Sequence, residues 1–582
     1  MNLITFDEND PLLKTKDKIS LLKRKNFFIG DWCLNEENIF TLNKKKNKTP
    51  KYYHWDDHKK YEKDIVYLNK LYFKILKNLS KSLNLYHGTK YSTKYWELLL
   101  SRWILLYISY VFDRWEIVKS SIKINKISST FVFKFDEKNF IPKNTISFNK
   151  IVTQNNYWNH WVFSEIIKFT KKTKIILVDP KKEIFYKDVE LDYTNQFNFC
   201  FSKEKVFFYK FYIPLNLKLK LLYDNKQFSL KFSKKFLKND IYNSKSRNSF
   251  YKHKKTKDIF LNFLNTFLVK NFPKIFLEEY LNLEKVYKNI LWPKNPNFIV
   301  TTHAQYYDEI FKIYTAKKML KGAKFLITQH GGNFGVEKKN FTMDMERKIC
   351  DRFLTWGWKE DKKTYPLYIT TVQGKKTSVA LYKKKELLLI VYQSPLMPSR
   401  GLPPRTAKKR NFIFILNPIK LLQALDKKIL QNVNISYKPK VLPTTEKKSI
   451  LHKFPKIKFV YGSWEDKKYS HHYRDKFCLQ IETFFSTGFL EAMYLNRPVI
   501  LIFDNSALGA NKDFLYYLEI LKKENICFYN SKDAAKFINK TYNNIESWWN
   551  NKKLQKVREL FCKKYCKHSD DPKQDFKKSL VF

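Results

Sequence analysis

The apolar and polar positions are patterned most clearly between residues 298 and 335. An apolar run over residues 298–300 ends in the polar residues 301–303. Over residues 308–320 the apolar positions recur every three or four residues, which predicts a helix. Residues 324–327 form a second short apolar run, and the connections between these segments are brief. The order strand, helix, strand predicts a βαβ unit in a parallel sheet.

Glycines mark the end of the second predicted strand. The chain of 582 residues has 12 glycines, and four of them lie between residues 322 and 335. Gln329, His330, Gly331 and Gly332 follow the strand directly, at the sheet edge where open α/β folds bind their ligands. His330 is therefore a candidate functional residue in a crevice. A buried turn with a hydrogen-bonded histidine would give the same pattern.

The second half of the chain repeats the α/β pattern. Residues 387–391 begin a new strand, a helix is predicted over residues 417–430, and a strand over residues 433–437 follows it. Residues 482–504 then give strand, loop, helix and strand. Two successive α/β halves predict a cleft between them, which is a common place for a ligand.

The first half also predicts long helices and a strand-rich region. Apolar residues recur at helical spacing over residues 65–79, and a second helix is predicted over residues 95–114. The apolar stretch 103–112 is short and is bounded by charged residues, which indicates a buried core helix. No run reaches the roughly 18 apolar residues of a membrane span. Residues 206–212 and 217–223 are expected to be strands.

A polar cluster, His54-Trp55-Asp56-Asp57-His58, precedes the first of these helices. Two carboxylates beside histidines are compatible with a metal site or with acid–base chemistry. Adjacent residues point in different directions, however, and Asp56 or Asp57 is a good N-cap for the helix that follows. We therefore expect this cluster to cap the helix.

The charge of the chain changes this picture only in part. The formal net charge of +56 invites a nucleic-acid-binding interpretation. The lysines are nevertheless scattered along the whole chain, and abundant Lys, Asn, Ile, Phe and Tyr with little Gly is what an AT-rich genome produces. No zinc-finger, RNA-recognition or basic-zipper pattern is present. We expect no specific nucleic-acid partner, but attraction to anionic membrane surfaces and anionic substrates.

Cysteine usage and the N-terminal residues bear on the compartment. The seven cysteines are widely spaced and form no regular framework, which indicates a reducing compartment. Cys562, Cys566 and His568 resemble one corner of a metal site, but no second ligand pair accompanies them, so we predict no metal and no cofactor. The N-terminus is polar and lacks a signal-peptide pattern. These features predict a cytoplasmic protein with peripheral contact at the inner face of the cell membrane.

A second set of candidate residues, Ser486-Thr487-Gly488, stands between a strand and a helix of the second half. The N–H groups and the positive dipole end of that helix favour an anion, and Gly488 would let a phosphate approach the backbone. Glu491, one turn into the helix, could accept hydrogen bonds from ribose hydroxyls. Lys438, at the end of another strand, could add positive charge. An ordinary serine N-cap would give the same tripeptide.

Several segments together resemble one known family. In chain order they read FFIGDWCL, YHWDDHKKYEKDIVYLNKLY, LNLYHG, YWELLLSRWILLY, FDRW, ITQHGGNFG, DRFLTWGW and STGFLEAMYLNRPVI. They resemble, in order and spacing, a family of transferases encoded in O-antigen and surface-carbohydrate clusters. The resemblance runs from about residue 26 to residue 545. That family is similar to GT-B glycosyltransferases, which have two Rossmann-like domains facing a central cleft.

The resemblance implies an α/β, GT-B-like fold with extra N-terminal helices. We expect five segments: a poorly ordered N-terminus (1–25), an N-terminal Rossmann-like, acceptor-side domain with helical insertions (26–359), an inter-domain connection (360–385), a C-terminal Rossmann-like nucleotide-sugar domain (386–560) and a C-terminal helix or tail (561–582). Some GT-B enzymes that use CMP-activated acidic sugars hold the donor phosphate with a Ser/Thr pair at a helix start, and Ser486 and Thr487 match that pair. Lys438-Pro439 stands where those enzymes have histidine-proline.

The function implied is a metal-independent glycosyltransferase that moves a sugar from a nucleotide-sugar donor to a lipid-linked or polysaccharide acceptor of the O-antigen or capsule type. His330 and Asp308 are the candidate bases for the acceptor hydroxyl. The candidate donor-binding residues are Gln329, Gly331, Gly332, Lys438, Ser486, Thr487, Gly488 and Glu491. Two alternatives stay open: a polyol-phosphate transferase of similar fold, and a basic nucleic-acid-binding or scaffold protein.

Overall fold

Parallel strands and helices build most of the computed structural model of the chain. It describes residues 1–7, 10–17, 24–33, 49–50, 53–124, 126–170, 173–182, 194–200, 205–233, 241–372, 385–391, 408–437, 445–461, 476–504 and 509–582. Within these residues the strands form three parallel sheets and one antiparallel ribbon. The α/β class expected from the sequence is confirmed.

The elements are numbered in chain order. The strands are β1 (Asn2–Ile4), β2 (Asn26–Phe28), β3 (Ser129–Phe133), β4 (Lys174–Val178), β5 (Thr194–Cys200), β6 (Val206–Phe208), β7 (Gln227–Ser233), β8 (Phe298–Thr301), β9 (Lys324–Thr328), β10 (Arg352–Thr355), β11 (Thr364–Pro366), β12 (Leu387–Ile390), β13 (Val433–Tyr437), β14 (Lys458–Tyr461), β15 (Leu479–Glu482), β16 (Val499–Ile502) and β17 (Cys527–Phe528). The helices are α1 (His58–His87), α2 (Thr93–Ile124), α3 (Thr145–Gln154), α4 (Asn156–Thr170), α5 (Leu215–Asp224), α6 (Ser244–Phe250), α7 (Ile259–Leu268), α8 (Tyr280–Asn289), α9 (Ala304–Tyr307), α10 (Glu309–Met319), α11 (Phe341–Ile349), α12 (Lys408–Ala424), α13 (Lys427–Leu430), α14 (Thr445–Lys453), α15 (Thr487–Tyr494), α16 (Lys512–Lys523), α17 (Ser531–Thr541), α18 (Ile545–Trp549), α19 (Lys552–Tyr565) and α20 (Pro572–Lys578).

The first sheet contains the N-terminal residues and has the strand order β2-β1-β3-β4. Strand β1 lies between two partners, and Leu3 and Ile4 are fully buried. At these residues the structure differs from the expectation of a poorly ordered stretch 1–25. The reason is that a three-residue strand is too short to show a period against the charged residues around it.

The second sheet confirms the predicted βαβ unit. Its order is β11-β10-β9-β8-β6, and β8 pairs in parallel with β9, with Ile299 opposite Phe325. Helices α9 and α10 connect these two strands. Strand β11 lies inside the segment expected to be an inter-domain connection, but it pairs with β10 and so belongs to this sheet.

The third sheet is the α/β half predicted after residue 386. Its order is β14-β13-β12-β15-β16-β17, and each neighbouring pair is parallel. Its own core contains Leu387, Ile435, Ile481 and Ile500, all essentially inaccessible to solvent. The second and third sheets thus come from successive α/β stretches of the chain. The division into two Rossmann-like domains stays a prediction.

Helices α1 and α2 pack together in the large core of the first half. Trp103 and Tyr107, from the apolar stretch expected to be a buried core helix, are fully buried on α2. Asp57 caps α1 by accepting hydrogen bonds from the N–H groups of Lys59 and Lys60, as expected. Over the described residues, no helix is both long and apolar enough to span a bilayer.

Residues 215–224 form helix α5, so the prediction of a strand over 217–223 was wrong. The sequence LNLKLKLL alternates leucine with polar residues, which is the period of a strand. In the structure only Leu217 and Leu221, four residues apart, turn into the core, while Leu215 and Leu219 stay exposed. Tertiary packing here outweighs the local alternation.

Helix α20 returns from the end of the chain to the second sheet. Phe576 is buried against Phe208, with ring centroids 5.4 Å apart. The Arg352 side chain on β10 donates hydrogen bonds to the carbonyls of Ser579 and Val581, both at 2.6 Å. The C-terminal residues thus complete the core of a sheet that begins at residue 206.

Candidate active site

Two loops from different sheets meet at Gly332. This residue follows β9, and its N–H donates a hydrogen bond to Thr487 Oγ1, at the start of α15, over 3.0 Å. A Cβ atom built on Gly332 would lie 3.0 Å from the Thr487 nitrogen and 3.1 Å from the Ser486 carbonyl carbon and oxygen. Glycine suits this point because a Cβ atom would press on two backbone groups at distances tighter than ordinary van der Waals contact. The two sets of residues singled out in the sequence are therefore brought together.

Ser486 is the N-cap of helix α15. Its hydroxyl accepts a hydrogen bond from the N–H of Phe489 over 3.3 Å and donates one to Glu482 Oε2 over 3.1 Å. Glu482 is fully buried at the end of β15. The capping role that the sequence left open is thus present, and it also fixes the direction in which the positive end of the helix dipole points.

The other predicted donor-binding residues of this half differ in accessibility. Gly488 lies in the first turn of α15, and its carbonyl accepts a hydrogen bond from Gln480 Nε2 over 3.2 Å. Glu491 lies one turn further along the helix and is only 2 % exposed. Lys438 follows β13 and lies outside the described residues, so its role stays a prediction.

His330 lies beside a buried carboxylate at the end of β9. Its Nε2 atom is 3.3 Å from Glu346 Oε1 and 3.1 Å from the Tyr306 hydroxyl. The His330 side chain is 24 % exposed, whereas that of Glu346 is fully buried. Among the described residues none forms a hydrogen bond with His330 Nδ1. A carboxylate next to Nε2 favours a proton on that nitrogen and leaves Nδ1 as the hydrogen-bond acceptor.

The surroundings of His330 include residues that the sequence did not single out. Glu346 Oε1 also accepts a hydrogen bond from Gln305 Nε2 over 2.6 Å. The Arg102 guanidinium lies over the Tyr306 ring, 4.4 Å from its centroid. Burial, and then the charge of Glu346, raises the pKa of Tyr306 well above its ordinary value, so this phenol stays neutral. These residues come from α2, α9 and α11, and no local spacing links them.

His303, at the end of β8, is a second histidine that the sequence did not assign to the site. Its ring packs on that of Tyr212, with centroids 4.5 Å apart. Its Nδ1 atom is buried and has no hydrogen-bond partner among the described residues. Burial, with the nearby His330 and Lys210 adding to it, lowers the pKa of His303 to about 4. His303 is therefore a neutral imidazole with an open hydrogen-bonding position next to His330.

Asp308 has three protein partners in the structure. Its carboxylate caps α10 by accepting from Phe311 N, accepts from the Tyr209 hydroxyl over 2.8 Å, and pairs with Lys210 Nζ over 2.6 Å. Burial acts to raise the pKa of Asp308, but Lys210 and the hydrogen bonds outweigh it and hold the pKa below its ordinary value. Asp308 therefore stays ionised and is held firmly in place.

Gln329 is committed to the loop that carries His330. Its Oε1 accepts hydrogen bonds from the Trp356 N–H over 3.0 Å and from Trp358 Nε1 over 2.8 Å. Its Nε2 donates to the Gly331 carbonyl over 2.9 Å. A Cβ on Gly331 would meet only the Phe334 ring, at 3.6 Å, which is an ordinary contact. Gln329 thus shapes the backbone that presents His330 and Gly332.

The metal corner considered for Cys562, Cys566 and His568 does not form. Both cysteines are buried and neither forms a disulfide, and His568 Nδ1 lies 3.1 Å from the Tyr494 hydroxyl. In the part of the chain that the structure describes, no group of three or more His, Cys, Asp and Glu side chains is placed to hold a metal ion.

Solved structures resemble parts of this chain at low sequence identity. HepE of Anabaena, solved with UDP and glucose, shares 9% identity over 55% of this chain and 88% of its own, with a TM-score of 0.32. MnaA of S. aureus, solved with UDP, shares 11% identity over 56% of this chain and 87% of its own, with a TM-score of 0.32. A Listeria monocytogenes protein described as a UDP-N-acetylglucosamine 2-epimerase shares 11% identity over 51% of this chain and 80% of its own, with a TM-score of 0.32. No curated protein sequence matches the chain.

The family comparison covers nearly the whole chain. The model of the LIC12162 family transferase matches residues 12–580, from just after β1 to the end of α20. The matched range contains the His330 loop, the Glu346 carboxylate and the start of helix α15. The chain therefore belongs to the LIC12162 family of transferases.

Proposed function

We propose that the protein is a glycosyltransferase that moves a sugar from a nucleotide-sugar donor to a surface-polysaccharide acceptor of the O-antigen or capsule type. The observation that carries the proposal is the contact between Gly332 and Thr487. It brings a helix N-terminus, which suits a phosphate, next to an imidazole that can accept a proton. A sugar transfer in which a base deprotonates the acceptor uses both kinds of group in one place.

The donor phosphates lie at the start of α15 in this proposal. The N–H groups of Thr487 and Gly488 and the Thr487 hydroxyl would donate hydrogen bonds to them, and the helix dipole would stabilise the charge that develops on the departing nucleotide. Gly332 and Gly488 allow close approach of the backbone. Lys438, which follows β13 in the sequence, stays a predicted source of positive charge for the donor. Glu491 stays a predicted donor-binding residue, although only 2 % of it is exposed in this structure.

His330 is the proposed base. Its Nδ1 atom would take the proton from the acceptor hydroxyl, whose oxygen then bonds to the anomeric carbon while the bond from that carbon to the donor phosphate breaks. Glu346 would hold the imidazole with its proton on Nε2. Asp308, the other base considered, is already engaged by Lys210, Tyr209 and Phe311, so we assign it the role of fixing the start of α10.

The first experiment identifies the donor. A thermal-shift screen with CMP, UDP, GDP and CDP compounds detects a nucleotide that binds the folded state only, because such a ligand raises Tm. The best binder is then offered with lipid-linked and polysaccharide acceptors, and the product is followed by mass spectrometry. Formation of a glycosylated acceptor supports the proposal. Transfer of a polyol phosphate from a CDP donor, or no binding of any nucleotide sugar, would contradict it.

A further inference from the structure

Helix α5 presents an apolar stripe to solvent. Leu215, Leu219 and Tyr223 are spaced four residues apart and are 67%, 55% and 81% exposed. Tyr212, just before the helix, is 53% exposed. Residues at this spacing lie on one face of a helix. Most exposed apolar residues on proteins are isolated, whereas these four belong to one short segment, so the segment is a continuous apolar surface.

The fold holds α5 in place without using this stripe. Leu217 and Leu221 turn inward and are buried together with Phe211 and Phe576 in a small core. Lys573 on α20 pairs with Asp224 at the end of the helix, over 2.5 Å. The helix is thus anchored by its other face, and the exposed stripe is not part of a core formed by the described residues.

An antiparallel ribbon of mostly apolar and uncharged residues adjoins α5. Strand β7 follows the helix after two residues and pairs with β5 over seven residues on each side. In that register Phe199 lies opposite Phe228, and Phe197 lies opposite Leu230. This backbone pairing fixes where the chain leaves α5.

The sequence around the stripe is strongly basic. Residues 205–226 contain five lysines, Lys205, Lys210, Lys218, Lys220 and Lys226, and one acidic residue, Asp224, which is paired with Lys573. Lys210 pairs with Asp308, so the lysines on or next to the helix that can act on lipid are Lys218, Lys220 and Lys226. Lys220 and Lys226 are exposed. A helix with leucine and tyrosine on one face and lysines beside it has the composition of a segment that lies in the interface of a bilayer with anionic lipids. The net charge of +56 acts in the same direction at longer range.

The stripe is continuous with the candidate site. The Tyr212 ring packs on His303, and the Tyr212 N–H donates to Thr302 Oγ1 over 2.9 Å. A membrane bound at α5 would therefore reach the end of β8, next to the residues around His330.

We propose that α5, with Tyr212 just before it, forms a docking surface for a bilayer that contains anionic lipids. The leucines and tyrosines of the stripe enter the headgroup region, and the flanking lysines bind lipid phosphates. This inference does not rest on the proposed transfer reaction, because vesicle binding is measured without donor or acceptor. A failure to bind vesicles would therefore leave the proposed glycosyltransferase activity to be tested separately.

The test is co-sedimentation of the full-length protein with vesicles of phosphatidylcholine, with and without about one third phosphatidylglycerol. We expect binding to the anionic vesicles that weakens as salt is added. The variant with Leu215→Gln, Leu219→Gln and Tyr223→Gln should bind at least about tenfold more weakly, since it removes the apolar contribution. Replacing Lys218 and Lys220 by Gln should weaken binding by about fivefold for each lysine.

A matched control uses apolar residues of similar exposure elsewhere. Leu85, Leu281 and Tyr516 are 86%, 62% and 62% exposed, and their replacement by Gln should leave vesicle binding unchanged. Wild-type binding by the α5 variant, or equal loss in the control variant, would overturn the proposal. So would an α5 variant that changes the oligomeric state in sedimentation while vesicle binding stays the same, since the stripe would then be an interface between copies of the chain.

Discussion

The N–H of Gly332 donates a hydrogen bond to the hydroxyl of Thr487, a residue 155 positions further along the chain. One partner follows a strand of the second sheet and the other opens a helix of the third. The bond therefore fixes the spacing of the two halves at the place where the candidate residues lie. The isolated bridge between Glu337 and Ala510 ties the same two halves together nearby.

Gly332→Ala is expected to separate these two loops. The new methyl group would lie 3.0 Å from a backbone nitrogen, and backbone atoms cannot move aside as the end of a flexible side chain can. We expect a loss of about 1–3 kcal/mol in the free energy of unfolding, as for other overpacked sites. Urea denaturation measures it. Gly331→Ala is the control, because its methyl group would meet only a ring at 3.6 Å, and an equal loss in both variants would contradict the argument.

Changing both Ser486 and Thr487 to Ala is expected to weaken nucleotide binding by about 1–3 kcal/mol, the cost of losing hydrogen bonds to a charged group. Calorimetry on the folded variant measures the change in Kd. Thr487→Ser keeps the hydroxyl and should bind the nucleotide nearly as the wild type does. Unchanged affinity in the double variant would remove the phosphate from the start of α15.

His330→Ala is expected to lower kcat by about 10²–10⁴ while the Kd of the donor changes little, because a general base acts on the acceptor. If His330 binds the donor instead, Kd rises. His452→Ala, at an exposed position on α14, is the control for a histidine lost elsewhere. Turnover near the wild-type value in a folded His330→Ala protein would exclude both roles.

Glu346→Gln tests whether the buried carboxylate holds His330 in its working orientation. The substitution keeps the size of the side chain and removes its charge. We expect kcat to fall by a smaller factor than in His330→Ala, with the Kd of the donor unchanged. Steady-state kinetics and calorimetry separate the two quantities, and a variant that loses donor affinity alone would contradict this role.

His160 is expected to make stability depend on pH. It is fully buried, its Nε2 accepts from the Phe133 N–H, and its Nδ1 lies 2.5 Å from the Thr5 hydroxyl. Burial, with a smaller contribution from Lys168, lowers its pKa from 6.5 to about 3. Between pH 6.5 and about 3, the His160 side chain is protonated in the unfolded chain but neutral in the folded protein. The contribution of the neutral His160 side chain to the free energy of unfolding is therefore intact above pH 6.5. It is lost as the pH falls towards 3, by about 1.4 kcal/mol per pH unit.

Equilibrium unfolding in urea at several pH values between 7 and about 5 measures this slope. The variant His160→Asn has no titrating group at the position, so its free energy of unfolding should fall less steeply with acidification than that of the wild type. Parallel curves for the two proteins would show that another group sets the pH dependence.

The parts of the fold that the sequence predicts best are those with a strong local signal. The βαβ unit around α10 has helical periodicity between two short apolar runs, and the glycines after β9 stand out in a chain with few of them. The prediction of a strand over residues 217–223 was wrong because alternating leucines have the period of a strand. Strand β1 was missed because three residues are too few to show a period.

The candidate site shows the same division. Gly332 and Thr487 were predicted separately, and the structure adds that they touch. Glu346, Tyr306 and His303 were not predicted, because each becomes part of the site only through the packing of α9 and α11 against neighbouring strands. A sequence pattern reports which residues share an element, whereas these contacts depend on how separate elements meet.

The packing of α20 against the second sheet has a consequence for folding during synthesis on the ribosome. The hydrogen bond from Arg352 to the Ser579 carbonyl cannot form until Ser579, 227 residues later in the chain, has been synthesised. At a synthesis rate of about 5–20 residues per second, the sheet stays open for roughly 10–45 seconds after β10 has been made. During that interval Phe208 and its apolar neighbours lack their cover. Chaperones that bind apolar segments can act on the second sheet during this interval. Cleavage of the chain before α20 would leave the sheet without that helix.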